Sequence, residues 1–351
     1  MHTGFFKQAE NEVVSRLRRK GYKFRGQEIA NIIWSFATLN AQPDLSMVDA
    51  LSTFVVEQCR GSNGMVNEQS IVKLFGQRQE LANVAWSCAV IGRYPKELMD
   101  IVYMGLLGTA NDPKHMKELF NDNGLEKSTI MTLYYVQVAA QVEAPELHLS
   151  LPMGFPNGWG EGDDESNQSS VGGGSENDFI ELSSSMLTLT ISKLQKAVSG
   201  TFDKIGFKNV LEHVIDASEI SNGYENNGQH SPKQFLSIDI ANVDKLIGIE
   251  VDGPGHFVRL IDDSSSSLLS TTTAKSSTTT TITNMDDSRQ QFADRGQNRV
   301  NGPTILKHRL LTHLGWDIIH LPYWEYQEFA GNIEREKRYC QGLLEKCNNW
   351  K

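Results

Sequence analysis

Large apolar residues in the first 150 positions recur at i, i+3, i+4 and i+7, the stripe of amphipathic helices. The run Glu28-Ile-Ala-Asn-Ile-Ile-Trp-Ser-Phe-Ala-Thr-Leu39 aligns in place with Glu80-Leu-Ala-Asn-Val-Ala-Trp-Ser-Cys-Ala-Val-Ile91, 52 residues on. Glu, Ala, Asn, Trp, Ser and Ala recur at matching positions, and the stripes are Ile29, Ile32, Ile33, Phe36 and Leu81, Val84, Ala85, Cys88. A second helical run follows each copy, over 45–59 and 96–107, with Pro43 and Pro95 marking the turns between. A third, weaker unit covers 129–147. A helix pair of this kind cannot bury its apolar faces alone, so the copies are expected to stack into an α-solenoid. Trp34 and Trp86 are expected to fill the inter-helix core. Asn31 and Asn83 are expected to bridge neighbouring repeats, the alternative being that they face a nucleobase.

The pattern changes after residue 155. Residues 156–178 are rich in Gly, Ser, Asn and acids, the composition of a flexible linker. A helical region over 191–198 leads to Ile205-Gly-Phe207, and two short apolar runs, 236–241 and 247–257, then lie one tight turn apart as a strand pair. From Ser264 to Thr283, 15 of 20 residues are Ser or Thr, too few apolar groups to fold, so an insertion at about 259–300 is expected to be disordered. Helical spacing resumes at 302–314 (Ile305, Leu306, Leu310, Leu314) and ends at Gly315. A strand over 316–322 and a charged helix over 332–346 close the chain. Helix, strand, strand, insertion, helix, strand, helix suits a small α/β domain with a mixed sheet. The expected architecture is therefore multidomain, α plus α/β: a helical-repeat region at 1–155, a linker at 156–182 and an α/β domain at 183–351.

Composition narrows the function classes. The 351 residues carry a net charge of −10, unpromising for a polyanion ligand, but the charge is uneven. Residues 1–156 hold 15 Lys/Arg against 16 Asp/Glu; residues 157–351 hold 18 against 27, and 157–181 alone supplies seven acids and no base. Much of the acidity thus belongs to the linker. Cys59, Cys88, Cys340 and Cys347 form no C-x-x-C pair, which argues against a disulfide scaffold or a zinc knuckle. No apolar run reaches the roughly 20 residues of a membrane helix, so no membrane partner is expected. No targeting segment is visible. The basic stretch 13–25 reads as the second helix of a repeat whose first part is missing.

Candidate chemistry sits in the strand pair, where Asp239, Glu250 and Asp252 are carboxylates inside apolar runs. Such charges are costly without a compensating partner. Strand alternation puts Glu250 and Asp252 on one face, within reach of Asp239.

These strands are part of a longer resemblance. Leu194-Gln195, Ile205-Gly-Phe207, Ser237-Ile-Asp-Ile-Ala241, Ile249-Glu-Val-Asp-Gly-Pro-Gly-His-Phe257, Thr304-Ile-Leu-Lys-His-Arg-Leu-Leu311, Leu314-Gly-Trp316 and Pro322-Tyr-Trp-Glu-Tyr326 occur in the order of the RAP domain, which 191–344 resembles. The upstream helices are similar to repeats found with RAP domains in FAST-kinase-like and octotricopeptide-repeat proteins. The resemblance implies an RNA-binding protein of mitochondria, or alternatively of plastids, acting in RNA processing, mRNA stability or translation. Its implied partners are single-stranded RNA and proteins of ribonucleoprotein granules. No kinase apparatus is present: a Gly-rich phosphate loop followed by a catalytic H-R-D segment is missing.

RAP domains are in turn similar to the restriction-endonuclease-like fold of very-short-patch-repair enzymes. That similarity implies, as the alternative function, a Mg²⁺-dependent ribonuclease. Asp239 and Glu250 would hold the metal, with Asp252 where the fold commonly has Lys, and His256 or Lys307 would activate water. Binding alone requires no cofactor. An acidic cluster without an ion repels phosphate, so the RNA contacts are then expected from Lys307, Arg309, Tyr323, Trp324, Tyr326 and Arg335. Tyr323 and Trp324 are favoured, while Arg335, Lys337 and Arg338 also suit a solvated helix face.

Overall fold

A computed structural model describes residues 3–19, 21–61, 64–108, 127–147, 191–215, 236–259 and 298–350. The expected linker, 156–182, and the Ser/Thr-rich stretch lie outside the described residues.

The N-terminal half is built of helices: α1 (Thr3–Arg18), α2 (Gly26–Thr38), α3 (Leu45–Cys59), α4 (Glu68–Leu74), α5 (Arg78–Ile91), α6 (Lys96–Leu107) and α7 (Lys127–Glu143). They stack in two layers. α2 packs on α5 and α5 on α7, while α1 packs on α3 and α3 on α6. The two sequence copies, α2 and α5, are therefore side-by-side neighbours. Each has in its first turn a Glu that accepts a backbone N–H just ahead of the helix, Glu28 from Arg25 at 2.9 Å and Glu80 from Gly76 at 3.1 Å. α5 ends on Gly92 in the left-handed region (φ +74°), where a side chain would be strained.

Two expectations for the repeat do not hold in full. Trp34 is 43% exposed and is not core, whereas Trp86 is half-buried and packs against the core of the repeats. At 100° per residue, positions 31 and 34 fall outside the buried stripe of Ile29, Ile33 and Phe36. Nor do the asparagines bridge repeats. Asn31 is exposed with no side-chain hydrogen bond among the described residues, and the Asn83 carbonyl accepts from Gln79 on its own helix (2.8 Å).

The C-terminal unit runs α8 (Lys193–Lys204), β1 (Val210–Ile215), β2 (Leu236–Asn242), β3 (Ile247–Asp252), β4 (Phe257–Arg259), β5 (Asn298–Val300), α9 (Gly302–His313), β6 (Asp317–Pro322), α10 (Tyr323–Gln327) and α11 (Ile333–Leu344). The main sheet has the order β1-β2-β3-β6. β1–β2 and β2–β3 are antiparallel, and β3–β6 is parallel, joined through α9. β1 was not expected from the sequence; Glu212 within it holds φ +51°. Phe257–Arg259 pairs with Asn298–Val300, so both ends of the expected insertion are strand.

Alternation along β3 decides the layering. Ile247, Ile249 and Val251 pack with Val198 and Phe202 of α8 and Cys340, Leu343 and Leu344 of α11. The opposite face receives Leu306, Leu310 and Leu311 of α9, and these belong to one continuous core with the helical repeats. The α/β unit is thus docked directly on the repeats. At that junction a Cβ on Gly302 would lie 1.9 Å from the Ala37 carbonyl oxygen, and Asn40 Nδ2 donates to Val300 O at 3.0 Å.

Candidate functional site

β3 is an inner strand, buried at every position. Its second face, toward α9, reads Gly248, Glu250, Asp252. A Cβ at Gly248 would come within 2.5 Å of Ile318 and 2.9 Å of Ile238, so glycine leaves room for those neighbours. The two carboxylates beyond it need partners, and the neighbouring elements bring them. Lys307 Nζ on α9 donates to Glu250 Oε2 at 2.6 Å. His320 on β6 lies in register with Glu250, and its Nδ1 is 2.6 Å from Asp252 Oδ2. His256, in the turn after β3, puts Nδ1 3.2 Å from Asp252 Oδ1 and 3.2 Å from Thr304 Oγ1. Asp239 Oδ2 accepts the Val251 N–H at 2.8 Å, just past the last paired residues of β2 and β3, Ile240 and Ile249. Two buried side-chain oxygens of this cluster have no hydrogen bond among the described residues: Glu250 Oε1 and Asp252 Oδ1, the latter off hydrogen-bond geometry to His256.

The electrostatics follow from this burial. Burial pushes the Glu250 carboxyl up, with Lys307 pulling the other way. For Lys307 burial acts to lower the pKa, but the charges of Glu250 and Asp239 together outweigh it and the ammonium is held above its usual value. Burial also opposes the Asp252 carboxylate, yet His320 and His256 outweigh it and bring its pKa to about 2. The Asp252 carboxylate, 3.2 Å away, raises His256. Burial, and then the charge of His320, lowers His308 to about 4. His308 Nδ1 stands 3.2 Å from His320 Nε2, which extends the line Asp252–His320–His308 from the sheet into α9.

Asp239, Glu250, Asp252, His256 and Lys307 are therefore one cluster. Its half-buried members are Asp239, His256 and Lys307, the side chains of the last two 42% and 26% exposed. Because β3 and β6 are parallel, the residues following them gather at one end of the sheet. Trp324 packs on Phe257 (ring centroids 4.4 Å) and on Tyr323 (5.1 Å), both half-buried with it. Among the described residues no group of three or more His, Cys, Asp or Glu is placed to hold a metal ion. Lys307 holds one oxygen of Glu250 and the Val251 N–H one oxygen of Asp239.

The other expected RNA contacts separate. Arg309 points away from the sheet into the repeats, where Nε and Nη2 hold Glu143 and Nη1 and Nη2 hold the Val90 and Ala89 carbonyls at 2.6–2.9 Å. This is a docking residue with its donors engaged, not a phosphate contact. Tyr326 is buried, with Oη 2.9 Å from Thr201 Oγ1 and 3.3 Å from Glu336 Oε2. That polar anchoring under α8 and α11 removes it from any ligand surface. Arg335 is exposed, its guanidinium 5.2 Å over Phe329. It stands on α11, across the sheet from Lys307.

Sequence reasoning missed His320, His308 and Glu212. His320 carried a signal: it is the polar position in the strand Ile318-Ile319-His320-Leu321, on the face opposite Ile319 and Leu321. His308 carried none, since only the turn of α9 aims it inward. Glu212, raised by burial and then by the charge of Asp239, belongs to the cluster through the unexpected β1.

Residues 286–341 match the RAP domain family. The matched stretch includes Lys307, His308, Arg309 and His320, while Asp239, Glu250, Asp252 and His256 precede it. The chain is similar to a chloroplastic RAP domain-containing protein of Oryza sativa subsp. japonica, 21% identical over 355 residues. That alignment covers 95% of this chain and 43% of the rice protein, so the chain spans less than half of its relative's length. The chain carries a RAP domain, as expected, with a matched stretch narrower than the 191–344 over which the resemblance was read.

Proposed function

We propose that this protein binds single-stranded RNA and acts on organellar transcripts, in their processing, stability or translation. The observation that carries this reading is the RAP domain at 286–341, a domain associated with RNA-binding proteins. The rice relative is chloroplastic, which favours the plastid over the mitochondrion first expected. The site geometry supports binding over hydrolysis. Lys307 neutralises Glu250, and His256 and His320 share Asp252, so the carboxylates fasten β3, α9 and β6 together. Among the described residues, no helix is long and apolar enough to cross a membrane.

Filter binding of the full chain to labelled single-stranded RNA tests the proposal. Expected is affinity that falls as salt rises, because phosphate contacts release counterions. No retention at low salt overturns it. The same RNA incubated with Mg²⁺, Mn²⁺ or EDTA addresses the ribonuclease alternative. Metal-dependent cleavage lost in Glu250→Ala would replace the binding-only reading.

A further inference from the structure

Three rings stand where β3 and β6 finish, and each keeps a polar atom that the fold does not use. His256 is the first. Thr304 Oγ1 gives its one hydrogen to Asn301 Oδ1 at 2.8 Å, so toward His256 it accepts, and His256 Nδ1 is the donor at 3.2 Å. Asn301 is fixed in turn, its Nδ2 donating to Gly255 O at 2.7 Å. Nε2 is left with no hydrogen bond among the described residues, on a side chain 42% exposed. Tyr323 and Trp324 open α10, both half-buried. Neither the Tyr323 hydroxyl nor the Trp324 indole N–H meets a partner among the described residues. The hydroxyls of Tyr94, Tyr103, Tyr326 and Tyr339 all do. Beside the rings, Gly253 and Gly255 have nothing within 4 Å of where a Cβ would lie, and neither holds a positive φ. Neither strain nor internal packing calls for glycine there; close approach of a ligand to the backbone does.

We propose that this end of the sheet seats one unpaired nucleotide of RNA, its base stacked on Trp324, its phosphate over the Gly253–Gly255 turn on His256 Nε2, and the Tyr323 hydroxyl donating to the same nucleotide. An indole face suits any base, so base identity should matter little. An apolar peptide would leave the imidazole and two further donors unmet. The charge on this side fits an anion. In the order β1-β2-β3-β6 the rings follow β3 and β6, where each carboxylate is faced by a basic group: Glu250 by Lys307, Asp252 by His256 and His320. Asp239 and Glu212, which take the Val251 N–H and the Gln195 amide instead, lie on β2 and β1. Around His256, Asp252 and Asp239 favour the charged ring, while burial and Lys307 oppose it. This assignment rests on the RNA-binding reading and deepens it. It puts the contact on the α/β unit, with Tyr323 and Trp324 inside the matched RAP stretch and His256 ahead of it.

The test is titration of the full chain with labelled single-stranded RNA over a range of salt. Trp324→Ala is expected to weaken binding about tenfold and keep the salt dependence, since a stacking partner and no phosphate contact is lost. His256→Gln should lower the slope of log affinity against log salt by about 0.7, the share of one phosphate on a single strand. Tyr323→Phe, which removes only the hydroxyl, should cost about threefold. RNA carrying thiouridine should crosslink under ultraviolet light to the peptide holding Tyr323 and Trp324, a readout on the parent chain that needs no variant to fold. Parental affinity in Trp324→Ala together with an unchanged slope in His256→Gln overturns the assignment, as do crosslinks confined to other peptides, and both leave the RNA-binding reading standing. Failure of the parent chain to retain any RNA at low salt overturns both readings.

Discussion

The guanidinium of Arg309, on α9 of the α/β unit, forks onto the carboxylate of Glu143, on α7 of the repeats, with Nε and Nη2 2.7 and 2.9 Å from its two oxygens. The same group caps the carbonyls of Ala89 and Val90 at the end of α5. One side chain therefore ties the α/β unit to two repeat helices, and both ion-pair partners are largely buried.

Arg309→Ala should destabilise the protein by about 3 kcal/mol, because it leaves the Glu143 carboxylate without its cation and two helix-end carbonyls without a donor. Lysine cannot reproduce the fork, so Arg309→Lys should recover less than half. Urea unfolding followed by circular dichroism measures both. A loss under about 0.5 kcal/mol, the scale of an exposed pair, would mean the junction does not depend on this contact.

Gly302→Ala tests the same junction by volume instead of charge. Its methyl would fall 1.9 Å from the Ala37 carbonyl and 2.6 Å from Val90 Cγ1, so α9 must move off the repeats. Roughly 2 kcal/mol or more of lost stability is expected, at the upper end of ordinary overpacking. Faster proteolysis between the two halves should accompany it.

Lys307→Met removes the cation of Glu250, whose side chain is 4% exposed. The carboxyl should then take up a proton in the folded state. The unfolded chain releases that proton near pH 4.3, so the defect should grow as pH rises above this value, to about 3 kcal/mol at neutral pH. Adding Glu250→Gln should restore most of the loss. A defect independent of pH would show that the pair is not what Lys307 contributes.

His308 gives a separate acid signature. Its folded pKa, about 4, lies below the ordinary 6.5, so the unfolded state binds the proton first. Stability should therefore fall as pH drops from 6.5 to about 4, by roughly 3 kcal/mol, and flatten for this group below that. His256 acts in the opposite sense: raised by Asp252, its contribution is full below pH 6.5 and fades as pH climbs through its folded value. Asp252, held at about 2, adds stability that is full above about pH 4 and is lost as pH falls from there toward about 2. Melting curves from pH 4 to 8 for the parent and His308→Gln should differ in slope on the acid side.

Much of this organisation was legible in the chain. The 52-residue offset and its apolar stripes gave α2, α3, α5 and α6 with nearly their observed ends. Alternation in 247–252 put Glu250 and Asp252 on one face, since a strand's period of two leaves no other choice. Trp34, Tyr326 and Arg309 were misplaced for one shared reason. Residue type tells whether a side chain tolerates burial, but not which neighbour the fold brings over it.

The sequence by itself thus determined the elements, the repeat and the acidic face of β3, because each rests on local periodicity and short-range sterics. Only the tertiary structure decided that α9 lies between sheet and repeats. That placement turns Lys307 toward Glu250, joins Asp252, His320 and His308 in one line, and leaves Asn31 and Trp34 on an open face. These contacts link residues far apart in the chain, and they exist only once the two halves share a core.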